Sequence, residues 1–160
     1  MIKIDRRSIS VMALSAAALV GLAMSEGYRE QAYIPVPGDV PTIGFGTTSG
    51  VKLGDITTPS KALLRALQDV QKFEGAMRQC VTVPLTQYEY DAYLQLSYNI
   101  GSTAFCNSTL VRKLNTRDYK GACKEILRWD KFKGKPLRGL TLRRQEEYKQ
   151  CIGEVYYVSF

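Results

Sequence analysis

The chain of 160 residues contains no histidine. Ser-His-Asp and Cys-His catalysis are therefore excluded, because both need an imidazole as the base. A zinc site is also poorly supplied with ligands, since the four cysteines form no CxxC pair. If the chain is an enzyme, its acid or base must be a carboxylate, lysine, tyrosine or cysteine. We expect neither a metal nor another cofactor.

The sequence also lacks repeats, low-complexity tracts and long linkers, so we expect one folded domain after the N-terminal region. We also expect a monomer. Its formal net charge of +7 favours a polyanionic partner. Anionic lipid, an acidic cell-wall polymer and nucleic acid all fit that sign. Zinc-finger spacing, RNA-binding signatures and a basic zipper are absent, and we therefore expect no nucleic acid partner.

Charge is absent from residues 8–25, which follow a cationic cluster (Lys3, Arg6 and Arg7) and end directly against Glu26. As a helix the segment would span roughly 27 Å, at about 1.5 Å per residue, just under the thickness of a hydrocarbon core. Three interpretations stay open: a secretory signal cleaved before Glu26, a membrane anchor, or a buried helix of a soluble protein. The many alanines and serines make membrane insertion weak.

Cysteine usage bears on the cellular compartment. An even number of cysteines in an exported protein suggests two disulfides, and four cysteines allow three connectivities. We expect Cys80 to pair with Cys106 and Cys123 to pair with Cys151. The alternative is four buried thiols in a cytosolic protein.

The chain divides into a short strand-forming part and a longer helical part. A helical start over residues 26–33 gives way to prolines, and residues 42–50 alternate apolar and small side chains with glycine turns, as short strands do. Pro59 opens a long helix, and Thr86 with Glu89 forms a capping box. Further helices are expected over residues 108–115, 117–130 and 141–155. The predicted fold class is α+β but mainly α, with a small N-terminal β-hairpin sheet and a bundle of helices.

Two carboxylates near the predicted strands could catalyse glycoside hydrolysis. This reaction needs one protonated acid to assist the leaving oxygen and one ionised acid to activate water or stabilise positive charge. Glu26 ends an apolar helix, which favours the protonated acid, whereas Asp39 lies in a solvated Pro-Gly turn. Glu30 is a rival for the second role, but one turn along the same helix it is better placed for an ion pair. On spacing alone this evidence is weak, because such pairs occur in most proteins.

Several stretches of the chain resemble one family. Glu26–Arg29, Ala32–Tyr33 and Thr42–Thr47 look like the active-site segment of the phage-type lysozymes, glycoside hydrolase family 24. Further matches follow in the family's order at residues 84–87, 98–101, 105, 108–110, 113–115, 121–123, 128–129, 139–140 and 143–144. The resemblance covers nearly everything after residue 25. It implies a lysozyme-like fold and hydrolysis of the β-1,4 bond between N-acetylmuramic acid and N-acetylglucosamine in peptidoglycan.

The same resemblance implies roles for particular residues. Glu26 matches the family's general acid, and Thr42 matches the threonine that helps to hold the attacking water. Where the family has Asp or Cys in the loop before that threonine, this chain has Pro35, and its loop is longer. We therefore expect Asp39 to take the second catalytic role from a shifted loop; otherwise Glu26 and Thr42 carry the reaction. Arg143 matches an arginine that approaches the catalytic glutamate.

Substrate contacts are expected at four positions: Tyr33, Gly44, Phe105 and Asn107. Tyr33 and Gly44 belong to the matched active-site segment. Phe105 and Asn107 lie in a loop where the family's cleft has its lip, and for these two residues packing is an equally good interpretation.

A branch of this family has an N-terminal signal-arrest-release segment, which the host export machinery inserts uncleaved and which later leaves the bilayer. Residues 8–25 resemble such a segment. The resemblance implies a domain of residues 1–25 for this helix and a catalytic domain of residues 26–160. It also implies an endolysin that is inactive while it is tethered to the inner membrane. The chain is then released into the periplasm to lyse the host, and after release residues 8–25 are expected to pack on the soluble domain. The alternatives are a non-catalytic wall-binding protein on a lysozyme scaffold and a cationic membrane-active protein.

Overall fold

The structure is a computed structural model, and it describes residues 5–154. The chain falls into two compact units. The first unit consists of the residues up to Ala18 together with those from Phe73 onward, and the second consists of Leu19–Lys72.

The predicted fold class is confirmed: the chain is mainly helical, with two small antiparallel sheets. The helices are α1 (Ala16–Glu26), α2 (Pro59–Cys80), α3 (Gln87–Ile100), α4 (Ser102–Cys106), α5 (Thr109–Asn115), α6 (Tyr119–Glu125) and α7 (Arg138–Cys151), with 3₁₀ turns at Ile9–Val11 and Ile126–Arg128. The strands are β1 (Arg29–Tyr33), β2 (Thr42–Gly44), β3 (Lys131–Phe132) and β4 (Lys135–Pro136).

The second unit contains the sheet formed by β1 and β2. Arg29 lies opposite Gly44 and Tyr33 lies opposite Thr42, so β1 carries extra residues and bulges between these two pairs. On its other edge β1 contacts residues 55–57, where the Ala32 amide donates to the Asp55 carbonyl at 3.0 Å. This double pairing makes β1 the centre of the small sheet.

The predicted helix over residues 26–33 is wrong, because the helix stops at Glu26 and a strand follows. Gly27 adopts φ +69°, the left-handed conformation that ends many helices, and its amide donates to the Ala23 carbonyl at 3.1 Å. Glu30 consequently lies in β1 with an exposed side chain, not one turn further along α1.

In the first unit, local sequence signals set several helix boundaries. The predicted capping box is present: Thr86 Oγ1 accepts from the Glu89 amide at 3.1 Å, and Glu89 Oε2 accepts from the Thr86 amide at 2.8 Å. Ser108 caps α5 in a similar way. The helix predicted over residues 117–130 is shorter, since α6 gives way to the 3₁₀ turn at Ile126. Helix α7 begins earlier than predicted and ends at Cys151; residue 155, its predicted end, lies outside the described residues.

Both disulfides have the expected pairing. Cys80 at the end of α2 is bonded to Cys106 at the end of α4, and Cys123 in α6 is bonded to Cys151 at the end of α7. They close stretches of 26 and 28 residues. Loops of this length correspond to roughly 3.5 kcal/mol of stabilisation each, because the cross-link restricts the unfolded chain.

The uncharged N-terminal segment is not one continuous helix. Residues 9–11 form a 3₁₀ turn, residues 12–15 are irregular, and α1 begins only at Ala16. In this structure only Ala16–Glu26 of the segment is an α-helix, because side chains of the first unit bind backbone groups of residues 12–15. Among the residues that the structure describes, no helix has both the length and the apolar character needed to cross a membrane.

A partly buried ion pair between helices of the first unit gives a prediction for stability. Glu125 accepts a hydrogen bond from Lys113 Nζ at 2.7 Å and another from Arg128 Nη1 at 3.0 Å. The Lys113 bond holds the pKa of Glu125 below its ordinary value, despite an opposing effect of burial. The carboxylate therefore stabilises the fold above the ordinary glutamate pKa, and this contribution is lost as pH falls through the lowered value.

We expect Glu125→Gln to reduce the free energy of unfolding by about 1 kcal/mol at neutral pH and by less in strong acid. Urea titrations at several pH values measure this difference. Glu146→Gln is the matched control: it breaks an exposed pair with Lys149, and we expect it to change stability by less than about 0.5 kcal/mol. An equal loss at both sites would contradict the assignment.

Candidate active site

Glu26 is the last residue of α1, and its side chain is half-buried. On the same helix Leu22 is buried, so packing holds the C-terminal end of α1 in place. The left-handed Gly27 then turns the chain into β1. The carboxyl group is thereby held at a junction between a helix and a sheet.

A tight turn after β2 lies directly against this carboxyl group. The Ile43 and Thr47 backbones exchange two hydrogen bonds, of 2.9 and 3.1 Å, around Gly44, Phe45 and Gly46. A Cβ atom on Gly46 would lie 3.0 Å from Oε2 of Glu26 and 3.4 Å from its Cδ. Gly46 therefore leaves the space that the carboxyl group occupies.

Side chains of α2 fix the position of this turn. Thr47 is buried, and its Oγ1 donates to Asp69 Oδ2 at 2.7 Å. Gly44 packs so closely on α2 that a Cβ atom there would lie 2.7 Å from Cβ of Ala62. The turn is therefore held at both ends. Gly44, which the sequence predicts to contact substrate, is buried here and packs on α2.

Thr42, the predicted water-holding residue, is buried in β2 opposite the half-buried Tyr33. Its hydroxyl donates to the Val40 carbonyl at 3.3 Å. The donor of Thr42 is thus occupied, and its oxygen can accept a hydrogen bond, for instance from water. Its place at the start of β2 follows from the pairing with Tyr33.

Asp39, the predicted second acid, lies in the loop between β1 and β2 and is exposed. Its amide donates to the Val36 carbonyl at 2.9 Å, and its Oδ1 accepts from the Val40 amide at 2.8 Å. One carboxylate oxygen therefore holds the loop, while the group remains accessible to water.

Of the two predicted cleft-lip residues, Phe105 is completely buried. Its ring packs near Tyr93, with centroids 6.2 Å apart. The expected substrate contact of Phe105 is therefore wrong, because a buried ring cannot touch a polymer. Asn107, at the end of α4, is exposed and could contact one.

The predicted supporting residue, Arg143, shares a carboxylate with its neighbour. Arg143 Nε lies 3.2 Å from Glu147 Oε1, and Arg144 Nη2 lies 2.7 Å from the same oxygen. Arg144 is completely buried and also donates to Asn99 Oδ1 at 3.0 Å. Burial raises the pKa of Glu147, and the two guanidinium groups oppose that shift. The sequence did not indicate that Arg144 is the more deeply buried of the two arginines that pair with Glu147.

A glutamate at a helix end, a small sheet with a glycine turn beside it, and a helical remainder define the lysozyme class of glycoside hydrolases. The chain belongs to the phage lysozyme family, which it matches over residues 23–147. The chain is therefore a lysozyme, a muramidase with an endolysin's function, and the predictions of family and enzyme class are confirmed.

Individual relatives agree with this assignment. An endolysin of Acyrthosiphon pisum secondary endosymbiont phage 1 is 41% identical over 140 residues, covering 85% of this chain and 95% of that protein. The SAR-endolysin of Pseudomonas phage phiKMV is 37% identical over 141 residues, covering 86% of this chain and 87% of that protein. The solved endolysin from Escherichia coli O157:H7 phage FAHEc1 superposes with a TM-score of 0.79 at 35% identity, covering 91% of this chain and 97% of that structure.

The contact between Gly46 and Glu26 gives a second prediction. We expect Gly46→Ala to lower lysozyme activity about tenfold, because the new methyl group displaces the Glu26 carboxyl by a few tenths of an ångström. The rate of turbidity loss in suspensions of purified cell walls measures the effect. Gly54→Ala is the matched control, since Gly54 also has a positive φ but open space around it. Comparable losses of activity in both variants would attribute the effect to backbone strain alone.

Proposed function

We propose that this lysozyme hydrolyses the β-1,4 bond between N-acetylmuramic acid and N-acetylglucosamine in peptidoglycan, with Glu26 as the general acid. The observation that carries the proposal is the position of the Glu26 carboxyl, fixed at the end of α1 against the Gly46 turn. A general acid must hold its proton within hydrogen-bond reach of the leaving oxygen. A carboxyl that packing holds in place meets this requirement better than a mobile one.

Thr42 and Asp39 would complete the reaction. Protonated Glu26 gives its proton to the leaving glycosidic oxygen as positive charge develops on the sugar. The Thr42 oxygen accepts a hydrogen bond from the attacking water, and the solvated Asp39 carboxylate stabilises the charge or takes the water's proton. Tyr33 and Asn107 would contact the glycan, and Arg143 would support the acid.

The identity of the cleaved bond can be read from the products. Purified peptidoglycan is digested with the protein, the new reducing ends are reduced with borohydride, and the fragments are analysed by mass spectrometry. Cleavage of the proposed bond leaves the reduced end on N-acetylmuramic acid. Reduced ends on N-acetylglucosamine would overturn the proposal.

We also propose that the chain is held in the inner membrane before it acts. The host export machinery would insert residues 8–25, which form the transmembrane part of the N-terminal domain of residues 1–25. The catalytic domain, residues 26–160, would stay inactive until the chain is released into the periplasm. The abundance of alanine and serine supports weak insertion, because little apolar surface is buried in lipid.

The contacts of residues 12–15 with side chains of α2 and α3 support docking of this stretch after release. Four side chains, which we call the clasp, bind this stretch: Glu74, Arg78, Gln87 and Asp91. Glu74 Oε1 accepts from the Leu14 amide at 2.7 Å, and Arg78 Nη2 donates to the Met12 carbonyl at 2.8 Å. Gln87 Nε2 donates to the Ala13 carbonyl at 2.9 Å.

Asp91 makes the most extensive contact of the clasp. Its two carboxylate oxygens accept from the Ser15 amide at 3.1 Å and from the Ser15 hydroxyl at 2.7 Å. Burial raises the pKa of Asp91, while the bonds from Ser15 and Gln87 act to lower it. Docking of residues 12–15 therefore offsets part of the cost of this buried acid. Since these residues cannot occupy the clasp and a bilayer together, the two positions compete.

Cell fractionation tests this competition. Full-length protein should sediment with membranes in energised cells and move to the soluble periplasmic fraction, at unchanged length, after the membrane potential is collapsed. A product shortened at Glu26 would show a cleaved signal and would overturn the proposal. Protein that is soluble before depolarisation would also overturn it.

A further inference from the structure

The hairpin formed by β3 and β4 has no role in the functions described above. It belongs to the first unit, and every residue from 131 to 139 is exposed. Four cations lie within Lys131–Arg138, and no acidic residue occurs between Asp130 and Glu146. None of these four cations forms an ion pair with a carboxylate among residues 5–154. We call Lys131–Arg138 the cationic hairpin.

Apolar side chains are interleaved with these cations. Phe132 and Leu137 are 46% and 51% exposed. Phe132 lies opposite Lys135 in the strand pair, so their side chains share one face, and Lys133 Nζ lies 5.5 Å from the Phe132 ring centre. Exposed aromatic and aliphatic groups beside lysines are typical of segments that lie at a membrane surface, where the apolar group enters the interface and the cation meets a phosphate.

The turn of the hairpin is unusual for its residue type. Lys133 and Gly134 have φ +49° and +80°, so both central residues are left-handed. Asparagine or aspartate is strongly preferred before glycine in such a turn. A lysine there is conformationally unfavourable, and it places a positive charge at the tip. The local sequence therefore departs from what stability alone would favour.

We propose that the cationic hairpin binds the anionic phospholipid headgroups of a bilayer. An acidic glycan is the rival partner, but residues 131–139 offer no side-chain hydrogen-bond acceptor, which sugar hydroxyls require alongside donors. Lipid phosphates need only donors and cations. The proposal concerns a surface in the first unit and does not depend on which glycosidic bond is cleaved.

Vesicle co-sedimentation with full-length protein tests the proposal. The hairpin variant carries Lys131→Gln, Lys133→Gln and Lys135→Gln. A control variant with Lys52→Gln, Lys61→Gln and Lys120→Gln loses the same charge from exposed sites elsewhere. The N-terminal segment is present in all three proteins, so its contribution cancels. Far-ultraviolet circular dichroism verifies that the variants are folded.

On vesicles containing phosphatidylglycerol, we expect the hairpin variant to bind roughly a hundredfold more weakly than the wild type, since each cation near an anionic surface contributes about fivefold. The control should lose much less. The difference should vanish on pure phosphatidylcholine and shrink at high ionic strength. Equal binding by the two variants would overturn the proposal. So would a hairpin variant that loses affinity for purified peptidoglycan but keeps its affinity for vesicles.

A single substitution separates function from stability at the tip. Lys133→Asn fits the turn better, so we expect its melting temperature to rise while its affinity for anionic vesicles falls about fivefold. A variant that is more stable and binds like the wild type would exclude a role for Lys133 in binding.

Discussion

Glu26→Gln should lower the rate of peptidoglycan hydrolysis roughly a thousandfold, within the range that a general acid contributes. Glutamine has nearly the same shape, so it should keep the packing against Gly46 while removing the transferable proton. Turbidity loss in suspensions of outer-membrane-permeabilised cells measures lysis, and release of reducing ends measures bond cleavage.

Glu30→Gln is the charge-matched control for this experiment. Glu30 lies four residues later, in β1, with an exposed side chain. From the sequence alone it is the rival of Asp39 for the second catalytic role. We expect near wild-type hydrolysis from this variant. If Glu26→Gln still lysed cells at the wild-type rate, the muramidase assignment to Glu26 would fail, and membrane disruption would become the better explanation of lysis.

The second large effect concerns the clasp. Asp91→Ala removes the acceptor for two bonds from Ser15, and bonds to a charged group are each worth about 1.5 to 3 kcal/mol. We expect a loss of about 3 kcal/mol, which shifts the balance between docked and membrane-inserted segment by roughly a hundredfold. After depolarisation, most of the variant should stay in the membrane fraction where the wild type is released.

Asp118→Ala controls for stability alone. Asp118 also accepts from a backbone amide, that of Gly121 at 2.9 Å, but it caps α6 and is not one of the four clasp residues. Loss of this cap should cost about 1 kcal/mol without altering release. If Asp91→Ala unfolded more easily in urea yet left the membrane like the wild type, the clasp would be a structural contact without influence on release.

Features determined by neighbouring residues could be predicted from the sequence. The capping box at Thr86 and Glu89 and the helix opened by Pro59 depend on contacts within a few residues, and both are present. The helix predicted beyond Glu26 failed because the second unit recruits Arg29–Tyr33 into a sheet between β2 and residues 55–57, which outweighs local helical preference.

The candidate active site could be predicted from the sequence only in part, for the same reason. Family motifs identify Glu26 and Thr42, but the contact between Gly46 and the Glu26 carboxyl depends on how a turn folds back on a helix end. The two closely spaced glycines in Thr42–Thr47 were the available signal. The clasp gave none, since Leu14 and Glu74 are 60 positions apart and Ser15 and Asp91 are 76 apart.

The placement of the disulfides implies an order of events. All four cysteines lie in the first unit, and Cys80 lies in the chain between the clasp residues Arg78 and Gln87. In a reducing cytoplasm the clasp would therefore belong to a unit without its cross-links, and only after translocation would oxidation secure it. Newly made chains would thus lack a firm docking place for their N-terminal segment until they had reached the compartment that contains the wall.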